Sequence, residues 1–271
     1  MATSECTPGR VLLVMLEQLC KELGLDHQSY SDGWLVRIAS DQQSTFVFGY
    51  TFSLNSSSAA EIAKDKVATY HVLRAADILT VPHYLLRPLK GGLVTEEFIE
   101  NVAPADSWPV VVKPLQGRSG QDVHIVNNAY SLFERIVNRS DVIWSASPLI
   151  HAQSEIRVVI LDDEVQLMYR KVPGDNDSAD MSVYNLGHGA QAHIIISTDE
   201  SYTELAQIAL QAMQAMQLRL AAVDIFQLSD DSYSVLEVNA SIAFEHFARQ
   251  SDEKWRAARA CYKNILQKIF Y

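Results

Sequence analysis

Three oxygen-bearing side chains, Asp224, Glu237 and Asn239, have the types and spacing of a hard-cation site. They lie in "AAVDIFQLSDDSYSVLEVNAS", two β-type runs around the turn-forming cluster Ser229–Asp230–Asp231–Ser232. Folding the hairpin about Asp230–Asp231 sets Asp224 across from Glu237. Asn239 follows Glu237 by two residues and so shares its face. Like charges opposed on a sheet destabilise it, and an ionised carboxylate is costly to bury alone. A bound cation removes both problems. Two carboxylates and an amide suit Mg²⁺, whose remaining positions go to phosphate oxygens and water. A carboxylate pair of raised pKa, or a solvated hairpin, fits the hairpin taken alone.

Three further stretches carry charge. "SEIRVVILDDEVQLMYRKV", turned at Asp162–Asp163, sets Glu155 opposite Arg170 and Arg157 opposite Met168. One face then holds Ile156, Val158, Ile160, Val165, Leu167 and Tyr169, a core face. The other holds Glu155, Arg157, Gln166 and Arg170, which reads equally as a solvated salt-bridged face. In "VVVKPLQGRSGQDV", Lys113 ends an apolar strand, and Gly117 and Gly120 follow in a loop whose backbone can approach a phosphate closely. No Gly-Lys-Ser/Thr follows, so it is not a Walker A loop. In "AKDKVATYHVLRAA", Lys64 and Lys66 fall on one expected helix with Asp65 between them.

The elements that must position these residues alternate irregularly. Helices are expected over Val11–Leu23, Ser57–Ala76, Ala129–Asn138, Asp199–Gln217 and Asp252–Ile269. Strands are expected in "WLVRIAS", "TFVFGYTF", "WPVVVKP" and "DVHIV", and in the two hairpins. "PGDNDSAD" reads as a polar loop, and "RPLKGG" near Leu86–Gly92 breaks the pattern. Several hairpins among helices indicate α+β layers rather than a doubly wound parallel sheet.

A chain of 271 residues with 48% hydrophobic residues can bury a large core. A net charge of −11 argues against sequence-independent nucleic-acid binding and against anionic membrane surfaces. There is no membrane-length apolar run and no charged-then-apolar leader at "MATSECTPGR". The three cysteines are odd in number and widely spaced, with neither metal spacing nor a disulfide framework. A cytoplasmic location is expected.

Taken together, two lysines, a glycine-bearing loop, an arginine pair and an Asp…Glu-x-Asn face describe a site for Mg²⁺-ATP. In this order the motifs resemble the ATP-grasp superfamily, and among it the carboxylate–amine ligases of the RimK, cyanophycin synthetase and glutathione synthetase type. The resemblance covers about Asn55 to Phe247. It implies two α+β subdomains whose antiparallel sheets sandwich ATP. Residues 1–55 would form a short preceding domain and 56–271 the ATP-grasp domain, with a lid at about 80–150 and a metal-binding, catalytic part at about 151–250.

Carried onto this chain, the resemblance makes Lys66 and Lys113 the ATP lysines. Gln116, Gly117, Ser119 and Gly120 belong to the loop over the phosphates. Glu155 lies near the ribose, and Arg157 and Arg170 serve the transferred phosphate. "YNLGHGA" supplies Asn185, and Asp224, Glu237 and Asn239 hold Mg²⁺ or Mn²⁺. The implied reaction joins a small carboxylate to an amine, amino acid or peptide, through an acyl phosphate. A kinase or a non-catalytic ATP-binding regulatory module is the alternative, and a homodimer is the assembly to test for. Three positions depart from the family pattern. The hinge "SASPLI" lacks the usual glutamate or glutamine, leaving adenine to backbone groups near Leu149 and Ile150. Asp122 stands where many relatives have glycine. The segment before Asn55 is shorter than the usual preceding domain.

Overall fold

The computed structural model describes residues 9–87, 95–102, 108–117, 122–139, 141–174 and 184–271. Helix α1 (Val11–Leu23) buries Val11, Leu12, Met15, Leu16, Leu19 and Cys20 along one stripe, and ends at Gly24, whose φ of 66° favours a residue without Cβ. No side chain of its own caps its first turn. Glu245, far along the chain, does so instead: its carboxylate accepts from the backbone N–H of Val11 at 2.8 Å and of Leu12 at 3.3 Å. Strands β1 (Asp26–Tyr30), β2 (Leu35–Ala39) and β3 (Ser44–Phe48) form an antiparallel meander.

A single helix was expected over Ser57–Ala76. Two are found, α2 (Ser57–Lys64) and α3 (Lys66–Ala75), because Asp65 is extended and its carboxylate accepts from the N–H groups of Val67 and Ala68. An N-cap thus interrupts what periodicity reads as continuous. Lys66 consequently opens a helix instead of lying along one.

Four strands make the second sheet: β4 (Tyr84–Leu86), β5 (Val110–Pro114), β6 (His124–Val126) and β7 (Trp144–Pro148), in the order β4-β7-β5-β6. Helices α4 (Glu96–Val102) and α5 (Ala129–Asn138) accompany it. Its core holds Val110, Val112, Leu132, Ile136 and Trp144. The third sheet contains β8 (Ser154–Leu161), β9 (Glu164–Val172), β10 (Gln191–Ile194), β11 (Leu220–Gln227) and β12 (Tyr233–Asn239), in the order β10-β9-β8-β11-β12. All named strand pairs are antiparallel.

Helix α6 (Tyr202–Ala215) covers one face of this sheet, with α2 and α3 beside it around Ile156, Val158, Met168 and Val223. The other face, at Val159, Leu167, Tyr169 and Ala222, shares one core with α1, β2, α7 (Glu245–Ala248) and α8 (Asp252–Phe270). The chain passes between the second and third sheets near residue 80. Thr80 bridges Val235 in parallel, and the main chain of Leu79 and Val81 bonds that of Val235 at 2.9 Å on each side, before β4 begins. The layered α+β expectation therefore holds. Strands β1, β4, β7 and β10 and helices α4 and α7 were not expected; several are short, and the four strands carry weak alternation.

Candidate active site

Strand β11 lies between β8 and β12, so its residues from Ala222 to Gln227 have a neighbour on both sides. The registers line up Tyr169 of β9, Arg157 of β8, Asp224 of β11 and Glu237 of β12 in a single row. Residues paired across strands share a face, so this row is one surface. The expected pairing of Asp224 with Glu237 is present, reached by two offsets that cancel. At the turn Gln227 faces Tyr233, one residue short of a fold about Asp230–Asp231. A bulge between Asp224 and Ile225 then takes in Leu236 and restores the match.

The middle hairpin departs from expectation. Its turn is as read, with Leu161 facing Glu164, but a register shift at Val159/Ile160 takes in Gln166. Glu155 faces Lys171, not Arg170, and Arg157 faces Tyr169, not Met168. A one-residue slip moves side chains to the opposite face. Arg170 therefore leaves the cluster, and its Nη1 donates to Ser154 Oγ at 2.9 Å and to Gln227 Oε1 on the other side of the sheet. Gln166 is held as the extra residue by α8: its carbonyl accepts from Cys261 Sγ at 3.6 Å and its side-chain oxygen from Asn264 Nδ2 at 2.7 Å. Lys171 takes Arg170's expected place. The "YRK" triplet offered two adjacent cations, and only the bulge decides which one faces the site.

Asp224 is fully buried. Its Oδ1 accepts from Arg157 Nε at 2.8 Å and Lys171 Nζ at 3.0 Å. Its Oδ2 accepts from Arg157 Nη2 at 2.6 Å and Asn239 Nδ2 at 3.1 Å. Asn239 Nδ2 also donates to Glu237 Oε1 at 3.1 Å, and Lys171 also pairs with Glu155. The repulsion expected between carboxylates is thus answered within the protein by a guanidinium and an ammonium. Burial alone would push the Asp224 carboxyl up; the charges and hydrogen bonds of Arg157 and Lys171 reverse this and hold it well below the usual carboxylate range. Burial pushes the Glu155 carboxyl up, against the opposing pull of Lys171.

Among the described residues, no three His, Cys, Asp or Glu side chains converge on one point. What converges is two carboxylates and an amide, with Asn239 Nδ2 3.1 Å from an oxygen of each acid. Turning the amide over would place Oδ1 there, since the two ends of an asparagine amide are assigned from their surroundings. Three oxygens would then surround one point. This donor set fits a Mg²⁺ that takes most of its shell from phosphates and water.

The lysines reach the same region from other elements. Lys66, buried at the start of α3, donates to the carbonyls of Leu115 at 3.3 Å and Gly117 at 3.0 Å, spanning to the loop after β5. Lys113 of β5 feels Glu237, Lys66 and Glu155; crowding by protein, opposed by the pull of Glu237, leaves its ammonium pKa at about 8. Gln116 is exposed beside Gly117. Ser119 and Gly120 lie outside the described residues. Leu149 donates its N–H to the Pro109 carbonyl at 3.0 Å, so that group is already committed and Ile150 follows it at the crossing into β8. Asn185 accepts from Gly187 N–H at 2.8 Å and caps the 3-10 turn Leu186–His188. Tyr169 was read as an ordinary core residue. Its ring stacks on Phe247 at 4.5 Å, and its buried hydroxyl lies close enough to Arg157 to feel that charge.

The sequence profile of the RimK-like ATP-grasp domain matches residues 63–258. The chain is 31% identical over 205 residues to a probable alpha-L-glutamate ligase of Haemophilus influenzae, covering 74% of this chain and 63% of the relative. It is 27% identical over 198 residues to a probable alpha-L-glutamate ligase of Rhodopirellula baltica, covering 72% and 45%. The chain thus spans less than two thirds of the length of these curated relatives. Its fold is similar to that of the ATP-grasp ligase PsnB complexed with minimal precursor, Mg and ADP, with a TM-score of 0.54 at 19% identity over 78% of this chain and 61% of that one. It is also similar to D-alanine–D-alanine ligase from Bacillus anthracis complexed with ATP, with a TM-score of 0.56 at 19% identity over 78% and 67%.

Proposed function

Because the chain belongs to the RimK-like ATP-grasp family, we propose that it uses ATP to join a carboxylate to an amine, with an amino acid or peptide on at least one side. The observation that carries this reading is the row Arg157–Asp224–Glu237 with Asn239 and Lys171 on one face, reached by Lys66 and Lys113 from α3 and β5. In the proposed reaction a carboxylate oxygen attacks the γ-phosphorus and the bond to ADP breaks. The amine then attacks the acyl carbon, phosphate departs, and the amine gives its proton to water. No protein nucleophile is required. Positioning and charge neutralisation do the work.

Lys66 and Lys113 hold the nucleotide's phosphates. Asp224 grips Arg157 through Nε and Nη2, fixing the guanidinium plane toward the transferred phosphoryl group. Lys171, tied to Glu155 and Asp224, keeps those carboxylates in place. Mg²⁺, held by Asp224, Glu237 and Asn239, would neutralise phosphate charge. The names of the curated relatives make glutamate the first amino acid to try.

The test is an amino-acid and peptide panel read by phosphate release and mass spectrometry, with hydroxylamine as trap. A hydroxamate, and phosphate release raised by an amine, are the expected results. A stable phosphorylated product with no hydroxamate would make the protein a kinase. Glu237→Gln should lower turnover at least about a hundredfold, with the circular dichroism spectrum unchanged. Wild-type turnover of that variant in Mg²⁺ would remove the metal assignment.

Nucleotide affinity should depend on pH through Lys113. Its ammonium titrates at about 8 in the free protein, against 10.5 for an ordinary lysine. A triphosphate beside it favours the charged form and raises that value. Below pH 8 both states are protonated and affinity is flat. Above it, binding takes up a proton, so affinity falls by up to about tenfold per pH unit. Folding moves the other way: the unfolded chain holds the extra proton between about 8 and 10.5, so Lys113 adds stability as pH rises through that window. Calorimetry in buffers of different ionisation enthalpy reads the proton uptake, and Lys113→Met should abolish it.

A further inference from the structure

His83 sits where the chain leaves the edge of the third sheet for the second. Residues Leu79 to Val81 run beside Val235 of β12, and β4 starts at Tyr84. The imidazole is 3% exposed. Among the described residues neither ring nitrogen makes a hydrogen bond of normal geometry, although the backbone of Leu236 is close enough to act on the ring. Buried polar atoms are almost always paired, and one left unpaired in a native fold calls for an explanation. A phenyl or leucyl side chain would fill the same space without that cost.

The surroundings narrow the explanation. The charges that act on the ring are Lys113 from β5 and Lys66 from α3. Burial, then those two ammoniums, push its pKa well below the usual histidine value, so the ring is neutral and offers one N–H and one lone pair. Two ammoniums whose charge reaches the ring, and a neutral N–H on it, suit an anion. Three separate elements supply them, and Leu236 is the bulge residue preceding Glu237.

We propose that His83 is a third phosphate-binding group of the nucleotide site, donating its N–H to a phosphate oxygen held between Lys66 and Lys113. The inference rests on the ATP reading above. An uncharged donor adds a hydrogen bond there without increasing the repulsion between the two lysines. A phosphate-free nucleoside cannot make this contact, which separates it from packing or from recognition of the base.

The experiment is calorimetric titration of the wild-type chain, His83→Phe and His83→Gln with Mg²⁺-ADP, Mg²⁺-ATP and adenosine. His83→Phe should weaken ADP and ATP by about tenfold and leave adenosine unchanged. His83→Gln, which keeps an N–H donor, should recover affinity to within about threefold of wild type. Unchanged ADP affinity in His83→Phe, or an equal loss of adenosine, would overturn the proposal. If the phenylalanine variant does not fold, the wild-type chain with ¹⁵N-labelled histidine decides. The His83 ring signal, identified by its absence in His83→Gln, must shift with ADP and not with adenosine; a ring signal that ignores ADP overturns it. A wild-type chain that binds neither ADP nor ATP would overturn the ATP reading along with this one. Wild-type binding with indifferent variants overturns the role of His83 alone.

Discussion

Replacing Asp224 by asparagine should lower the stability of the folded chain by about 3–5 kcal/mol, the usual cost of removing one partner from a buried ion pair. The side chain is fully buried and takes four hydrogen bonds, two from Arg157, one from Lys171 and one from Asn239. Without its charge, Arg157 and Lys171 remain buried on adjacent strands with Glu155, which pairs with Lys171, as the nearby carboxylate. Urea unfolding at neutral pH, followed by circular dichroism, measures the loss. Glu237→Gln on the same row is the control. Its carboxylate is half-buried and, among the described residues of the cluster, accepts a hydrogen bond from Asn239 alone, so its loss should be small. A loss below about 1 kcal/mol for Asp224→Asn would mean that water screens the cluster as it screens a surface pair.

The second large effect is kinetic. Arg157→Met should reduce turnover by two to three orders of magnitude, about 3–4 kcal/mol of transition-state stabilisation, with ATP affinity little changed. Arg170→Met should stay near the wild-type rate, because its guanidinium lies across the sheet against Ser154 and Gln227. The pair of variants tests the register as much as the chemistry. Single-turnover rates at saturating nucleotide, at a temperature where both variants remain folded, separate the chemical step from stability. Equal losses at the two positions would mean that the strand slips during catalysis or that both arginines act indirectly.

The pairing of Asp224 with Glu237 came out as read only because the offset at the turn and the bulge at Leu236 cancel, and neither is visible in the sequence. That Glu237 and Asn239 share a face was legible, because a two-residue period is set by neighbours. Helix α1 and helix α8 were legible for the same reason. The bulge at Gln166 was not. It is fixed by Cys261 and Asn264, about a hundred positions downstream, and nothing in "DDEVQLMYRKV" announces it. Those two distant contacts hold the bulge that brings Lys171 rather than Arg170 to Asp224. The break at Asp65 was in principle readable, since an aspartate before a helical run is a capping signal, but the apolar pattern runs on through it. His83 carries no pattern; its meaning comes only from what packs around it.

Glu245 has a consequence for how this protein could be taken apart or have diverged. Besides the first N–H groups of α1, its carboxylate accepts from the Tyr50 hydroxyl at 3.0 Å, and it stands six positions after Asn239. One acid thus fastens helix α1 and the segment after β3 to the stretch leading out of β12. The amino-terminal unit is therefore no cassette that recombination could exchange freely. A graft that brought a different helix would also have to bring backbone donors at Glu245's position, or leave a carboxylate stranded beside the site. Tyr50 and Glu245, which meet through their side chains, should change together, and the core residues of the four-stranded sheet, which pack apart from them, should vary independently.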